Sequence, residues 1–204
     1  SRMMEYTIGK FLNLKVNTNA FLMSEAHCHA LLCGGARTVV FSADAAEEPL
    51  YSQLRVNGKL DRVLRNIERF QKIRETQYSK TKIISRVSGV LVDEAQNMKA
   101  MQKLWGGLVD QISFVKYNPW ENVYNSPFSH VAQSCSDLWR RIFIWFDGTV
   151  NPCDTDYKSK LSVGNINSLT MSELWKSSLY QEIRDKHEQG KRKGVSPCNR
   201  CIVV

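Results

Sequence analysis

Strand-like and helix-like patterns of apolar residues alternate through the first 117 residues of the chain. Short stretches with alternating or β-branched apolar residues predict four strands, at 13–20, 37–44, 81–92 and 110–117. Between them, apolar residues recur at every third or fourth position, which predicts amphipathic helices after Ser24, from Leu60 and along the stripe from Ala95 to Trp105. This alternation indicates βα units around a parallel sheet, where ligands gather at the carboxyl ends of the strands.

The pattern changes after the Asn- and Pro-rich stretch 117–128. Two short apolar segments flank Asp147-Gly148, a dipeptide typical of a hairpin turn. Thr170 and Glu173 form a capping-box pattern in front of an amphipathic segment, which predicts one helix over 171–187. We therefore predict an α/β domain over residues 1–130 and a small α+β domain with a β-hairpin over residues 131–204.

Composition narrows the class of protein. The 204 residues are 43% apolar and 24% charged, as in a globular domain, and no apolar run is long enough to span a membrane. The net charge of +8 is spread over helix faces and interleaved with acids, so we expect a solvated surface and neither a nucleic-acid nor a membrane partner. Six cysteines without an export signal indicate a reducing compartment, and a cytoplasmic location is expected.

Four cysteines in the second part have the spacing of a metal or cluster site. They follow the pattern C-x17-C-x44-C-x2-C and are Cys135, Cys153, Cys198 and Cys201. A C-x2-C pair lets two thiolates bind one centre, and the hairpin brings the other two alongside. Four thiolates suit tetrahedral zinc or an iron–sulfur cluster, and the spacing alone does not separate the two. Disulfides are disfavoured by the inferred compartment.

The order of motifs around these cysteines resembles a known extension. After C-x12-G-x4-C come "GNI" (164–166), "ELW" (173–175), "IRDKH" (183–187) and "CNRC" (198–201). This order resembles the SPASM or related twitch domain of radical S-adenosylmethionine (SAM) enzymes. The resemblance implies that the four cysteines hold an auxiliary [4Fe–4S] cluster. Either the chain has the shorter version of the extension, with one cluster and four ligands, or it is cut short at this end and belongs to the larger version, which has seven cysteines and two clusters.

The first part resembles strands 3–6 of the partial (β/α)6 barrel of the same enzymes. The resemblance implies that Thr18 faces the substrate and that Ser42 hydrogen-bonds the ribose of SAM. Arg55 and Arg86 are further candidates for contacts near the carboxyl ends of the strands. The sequence departs from the family pattern at Ala20 and Ala45, where family members usually have glycine.

A larger departure concerns the cluster that cleaves SAM. The family binds it with a C-x3-C-x2-C loop, which these 204 residues lack, and Cys28 and Cys33 have the wrong spacing. We therefore expect a fragment without this N-terminal segment that is inactive alone.

For the full-length protein, the resemblance implies a radical SAM oxidoreductase or maturase. It would use SAM, a second [4Fe–4S] cluster and an external donor such as flavodoxin or ferredoxin. Its substrate would be a peptide or a small molecule of sugar or aminocyclitol type, from which a 5′-deoxyadenosyl radical takes a hydrogen atom.

Two other functions stay open at the level of sequence. One is a zinc- or cluster-bound binding module without chemistry of its own. The other is a degenerate family member that no longer cleaves SAM. Among the remaining signals, metal binding by the "HCHALLC" segment (27–33) is disfavoured, His187 is expected to be structural, and Trp139, Trp145 and Trp175 are expected in the core.

Overall fold

A four-stranded parallel sheet forms the centre of the first part of the chain. In the computed structural model, which describes residues 2–92, 94–119 and 122–204, the strands are β1 (Leu14–Thr18), β2 (Ala36–Ser42), β3 (Ile84–Leu91) and β4 (Gln111–Lys116). They pair in chain order, each parallel to its neighbour. Parallel neighbours need a crossover connection, and helices supply it here. The predicted α/β class and all four predicted strands are confirmed.

Among the described residues, the helices that accompany this sheet are α1 (Arg2–Thr7), α2 (Glu25–Cys33), α3 (Glu48–Leu54), α4 (Leu60–Gln77) and α5 (Met98–Gly106). Helix α2 begins as predicted, because the Ser24 hydroxyl accepts a hydrogen bond from the His27 amide at 3.4 Å. Helix α4 buries the predicted apolar stripe against the sheet. Helix α3 was not predicted, because its seven residues are too few to show a clear period.

The core of this unit lies between the sheet and its helices. Phe41 of β2 meets Phe70 of α4 edge to face, with ring centroids 5.5 Å apart. Trp105 is fully buried, and its indole N–H donates to the carbonyl of Ala45 at 3.1 Å. This bond ties α5 to the loop that follows β2, so the loop at the carboxyl end of the sheet is held in place.

A charged pair lies at the amino-terminal end of the sheet. Arg74 donates to both carboxylate oxygens of Asp110, at 2.5 and 2.9 Å, and the Ser85 amide donates to the same carboxylate at 2.7 Å. The bond from Arg74 is the main reason that the pKa of Asp110 lies well below its usual range. The ionised form is therefore favoured by folding.

Asp110→Asn is expected to lower the free energy of unfolding by about 1 kcal/mol at pH 7, since the pair is partly solvent-screened. A lowered pKa stabilises the fold above the unfolded-state value and loses this effect as pH falls. The difference between the wild type and Asp110→Asn should therefore shrink below about pH 4. Urea titrations at pH 7 and at about pH 3 measure it, and a difference that does not change with pH would contradict the assignment.

The second part of the chain is built on a small antiparallel sheet. Its strands β5 (Phe143–Ile144), β6 (Thr149–Asn151) and β7 (Gly164–Asn165) pair in chain order. The predicted hairpin is confirmed: Gly148 has a φ of +85°, and the Asp147 carboxylate accepts from the Thr149 amide at 2.9 Å. Strand β7 was not predicted, because two residues show no alternation.

The helix predicted over 171–187 is two helices, α6 (Met171–Trp175) and α7 (Ser178–Glu188). The capping box of Thr170 and Glu173 forms as predicted and starts α6. The chain then breaks at Ser177, whose hydroxyl accepts from the Tyr180 amide at 3.3 Å and caps α7. A continuous helix was therefore wrong, because a second cap interrupts an apolar period that runs on through both helices.

Among the described residues of this second part, one core cluster is formed by the buried side chains of Leu138, Val150, Val163, Leu174, Tyr180 and Ile183. Trp175 packs against this cluster, with its ring 5.1 Å from that of Tyr180. Trp139 is 38% exposed, so its predicted place in the core was wrong; it ends a short 3-10 turn at the surface.

The chain divides into two compact units, Ser1–Tyr117 and Asn118–Val204. The predicted start of the cluster domain at residue 131 lies inside the second unit. In the part of the chain that the structure describes, no helix has both the length and the apolar character to cross a bilayer.

Candidate metal centre

The second unit brings the four predicted cysteine ligands to one cavity. Cys135 precedes a 3-10 turn, Cys153 follows the end of β6 by two residues, and Cys198 and Cys201 bracket the last turn of the chain. All four line a cavity of about 370 Å³. Each is a free, partly buried thiol. The fold therefore gathers three segments that are far apart in sequence.

The cavity that the four thiols line, of about 370 Å³, has more room than a single ion needs. Four thiolates on one zinc ion, at about 2.3 Å from it, would lie roughly 4 Å from one another. Among residues 2–92, 94–119 and 122–204, no three His, Cys, Asp or Glu side chains are arranged to hold one metal ion. As placed, the thiols do not form the compact shell of a single ion, and the cavity of about 370 Å³ has room for a polynuclear group.

Backbone amides point at two of the sulfur atoms. The Thr155 amide lies 3.3 Å from Cys153 Sγ, and the Val203 amide lies 3.5 Å from Cys201 Sγ. Hydrogen bonds of this kind stabilise negative charge on sulfur and tune the potential of an iron–sulfur group. The loops after Cys153 and Cys201 are thus shaped to receive thiolates.

Burial favours the protonated form of the Cys135, Cys153 and Cys198 thiols until a positive group binds them. It raises the pKa of Cys198 to about 12, and it raises the pKa of Cys135 and Cys153 as well. Since metal ligands must be thiolates, binding has to displace these protons. A desolvated thiol set of this kind suits a strongly held metal group better than an exposed reactive cysteine.

His187 holds the backbone of Cys135, the first of the four predicted ligands. Its Nδ1 accepts a hydrogen bond from the Cys135 amide at 3.2 Å, and its carbonyl accepts from the Ser134 hydroxyl at 2.9 Å. Burial, aided by the nearby Arg192 cation, lowers the pKa of His187 to about 4. The imidazole is therefore neutral at pH 7 and acts as a fixed acceptor, which agrees with its predicted structural role.

Arg192 was missed by the sequence reasoning. It sits in the basic run 191–193, part of the net positive charge that we expected to form a solvated surface as a whole. Its side chain is instead 1% exposed and donates to the carbonyls of Cys198, Cys201 and Gln133 at 2.8–3.0 Å. Arg192 is buried between the exposed residues Lys191 and Lys193. Three residues of a loop are too few to show this alternation as a periodic pattern in the sequence.

Three of the four candidate residues in the first unit lie at the carboxyl end of the sheet. Thr18 and Ser42 are the last residues of β1 and β2. Thr18 also lines a cavity of about 310 Å³. Arg55 pairs with Asp44, two residues beyond β2, with 2.6 Å between Nε and Oδ2. Asp44 was not among the predicted residues, although its carboxylate also accepts from the Val90 amide at 2.8 Å.

Arg86 does not lie where it was predicted. It is the third residue of β3 and pairs in register with Gln111, the first residue of β4. Its guanidinium donates to the Gln111 side chain, at 3.0 Å from Nε. It therefore belongs to the amino-terminal half of β3. The apolar pattern predicted the strand but not the point within it at which the sheet ends.

Residues 135–202 match the family model described as SPASM, an iron–sulfur cluster-binding domain. This range includes all four cysteines, and the match indicates an iron–sulfur cluster in this domain. No curated protein matches the chain by sequence.

Among solved structures, similarity extends over most of the chain. BtrN in complex with AdoMet and 2-DOIA is 18% identical, with a TM-score of 0.50 over 94% of this chain and 61% of that one. Native anSMEcpe with bound AdoMet is 16% identical, with a TM-score of 0.59 over 93% and 64%. SuiB of Streptococcus suis is 14% identical, with a TM-score of 0.52 over 84% and 50%.

The chain thus spans about three fifths of the length of the first two structures. At these identities the likeness shows the fold, and the family model adds the domain. Both agree with the resemblance drawn from the motifs. The chain has the fold of radical SAM enzymes and carries, at residues 135–202, a SPASM iron–sulfur cluster-binding domain.

Proposed function

We propose that this chain is part of a radical SAM oxidoreductase or maturase and that its second unit binds an auxiliary [4Fe–4S] cluster. The observation that carries the proposal is the convergence of Cys135, Cys153, Cys198 and Cys201 on one cavity. Four thiolates match the four iron corners of such a cluster. When bound, the cluster supplies one-electron redox chemistry.

The protein residues hold and shield this group. With every iron bound by cysteine, no corner is open to a substrate, which favours electron transfer or structural support over substrate binding. The amides of Thr155 and Val203 balance charge on two sulfurs, while His187 and Arg192 fix the ligand loops. Burial of the thiols limits access of water and oxygen to the site.

The substrate side is proposed to lie at the carboxyl end of the parallel sheet. Structural neighbours are described with bound AdoMet or S-adenosylmethionine, which supports SAM as a partner of the whole protein. Ser42 and Thr18, at the ends of adjacent strands, are the proposed contacts to SAM and to the substrate. One neighbour is bound to 2-DOIA and another to a precursor peptide, so we propose a small molecule or a peptide as the substrate class.

An external low-potential electron donor of flavodoxin or ferredoxin type completes the proposal, because reductive cleavage of SAM consumes one electron per radical formed.

Anaerobic reconstitution with iron and sulfide tests the cluster directly. We expect about four irons and four sulfides per chain, with the broad absorption of an iron–sulfur cluster. The same protein offered zinc alongside iron should still assemble the cluster. One zinc and no sulfide would contradict the proposal and favour a zinc-bound binding module.

A further inference from the structure

Arg192 is a buried cation that ties together the loops of the cluster site. Its Nε donates to the Cys198 carbonyl at 3.0 Å and its Nη2 to the Cys201 carbonyl at 2.8 Å. Its Nη1 donates to the Gln133 carbonyl at 3.0 Å, two residues before Cys135. One rigid, planar group therefore fixes both ends of the C-x2-C turn and the approach to a third ligand.

This cation has no carboxylate partner within the described ranges. The ion pairs found there involve other arginines, one lysine and one histidine. Three carbonyl dipoles compensate part of the cost of burying the charge, but a buried cation ordinarily pairs with an anion. Arg192 lines the same cavity as the four cysteines, where four thiolates would supply that negative charge.

The carboxylates around the cavity are engaged elsewhere. Asp137 pairs with Arg140 and Arg141, each at 3.2 Å. Asp156 accepts from the Lys160 and Leu161 amides, and Asp154 lies next to Cys153 Sγ at 3.8 Å. None of these three aspartates forms an ion pair with Arg192, which lines the same cavity.

We infer that Arg192 is a positioning residue for the cluster and that its buried charge raises the reduction potential of the cluster. The inference rests on the proposed function. An electron from a low-potential one-electron donor adds one negative charge to the cluster. A fixed positive charge in a poorly screened site favours that reduced form. Arg140 lines the same cavity, but its side chain is 59% exposed and solvent screens it.

The test compares Arg192→Met, Arg192→Gln and Arg192→Lys with Arg140→Met in the reconstituted full chain. Iron and sulfide are counted first, and the midpoint potential is then measured by EPR during titration with dithionite. In Arg192→Met and Arg192→Gln the ratio of reduced to oxidised cluster at fixed potential should fall at least tenfold, a shift of about 59 mV for one electron. Arg192→Lys should restore most of this ratio, and Arg140→Met should change it less than about twofold.

The outcomes distinguish a failure of the proposed function from a failure of the inference about Arg192. If the wild type assembles no cluster, the proposed function fails. If the wild type assembles one and the neutral Arg192 variants keep its potential, or shift it no more than Arg140→Met, the inference about Arg192 is overturned while the cluster stands. A variant that loses both the cluster and its helical circular dichroism also overturns it, since Arg192 would then only support the fold. Loss of the cluster with retained helicity supports the positioning role.

Discussion

Cys198→Ala is expected to lose at least about nine tenths of the iron and sulfide that the wild type binds after anaerobic reconstitution. Cys198 lies on the cavity wall with the other three cysteines, and burial raises the pKa of its thiol to about 12. Alanine offers no ligand, so one iron corner would be left to water in a pocket shaped for sulfur. Iron and sulfide assays, beside the absorption spectrum, measure the loss.

Cys33→Ala is the matched control, because it removes a cysteine outside the predicted ligand set. Cys33 is exposed at the end of α2, where its thiol contacts the Tyr78 hydroxyl at 3.2 Å. This variant should assemble the cluster as the wild type does. Full iron content in Cys198→Ala, or an equal loss in Cys33→Ala, would show that the ligand set is wrong.

The same comparison separates zinc from an iron–sulfur cluster. Both would need Cys198, but only a cluster loses acid-labile sulfide together with the metal. Sulfide that falls in step with iron across single variants of all four cysteines would establish one shared centre. If the wild type holds metal but no sulfide, and the cysteine variants lose that metal, the result would favour the zinc-bound binding module.

Features with strong local chemistry could be predicted from the sequence. The parallel strands are rich in β-branched and other apolar residues, so their positions were visible in the apolar pattern. The turn at Asp147-Gly148 and the cap at Ser24 depend on a few adjacent residues. The C-x2-C pair and the motifs around it indicated the cluster site, because ligand spacing is itself a sequence property.

Features that depend on tertiary contacts could not be predicted. The break at Ser177 lies inside a continuous apolar period, so only the cap geometry reveals it. Arg192 looks like its exposed neighbours in sequence, and its burial follows from three carbonyls that distant segments bring to it. The position of Arg86 along β3 depends on its register with β4, which single-strand patterns do not encode.

A second buried charge lies on the loop that follows Cys153. Asp156 is fully buried. Its carboxylate accepts from the Lys160 amide at 3.1 Å, from the Leu161 amide at 2.7 Å and from the Tyr124 hydroxyl. Burial is the main reason that the pKa of Tyr124 lies well above its usual range, and the hydrogen bond to this carboxylate is the second. The phenol therefore stays a donor at neutral pH, and the loop closes around Asp156.

Asp156→Ala is expected to lower the local stability of this loop by about 3 kcal/mol, because three donors lose their acceptor. This loss outweighs the gain from no longer burying a charge. Native-state hydrogen exchange of the Lys160 and Leu161 amides measures it, and their protection should fall by about a hundredfold. Tyr124→Phe, which removes one donor and leaves the carboxylate in place, should cost only about 1 kcal/mol.

The loop that Asp156 stabilises also places Cys153 at the cavity wall. The loss of loop stability in Asp156→Ala should therefore weaken metal binding at the centre. Iron transfer from the reconstituted variant to a chelator is expected to be several times faster than from the wild type, since the ligand loop opens more often. Tyr124→Phe should release iron at close to the wild-type rate. Unchanged amide protection in Asp156→Ala would refute the loop assignment, whereas lost protection with unchanged iron release would show that the position of Cys153 is fixed by the hairpin alone.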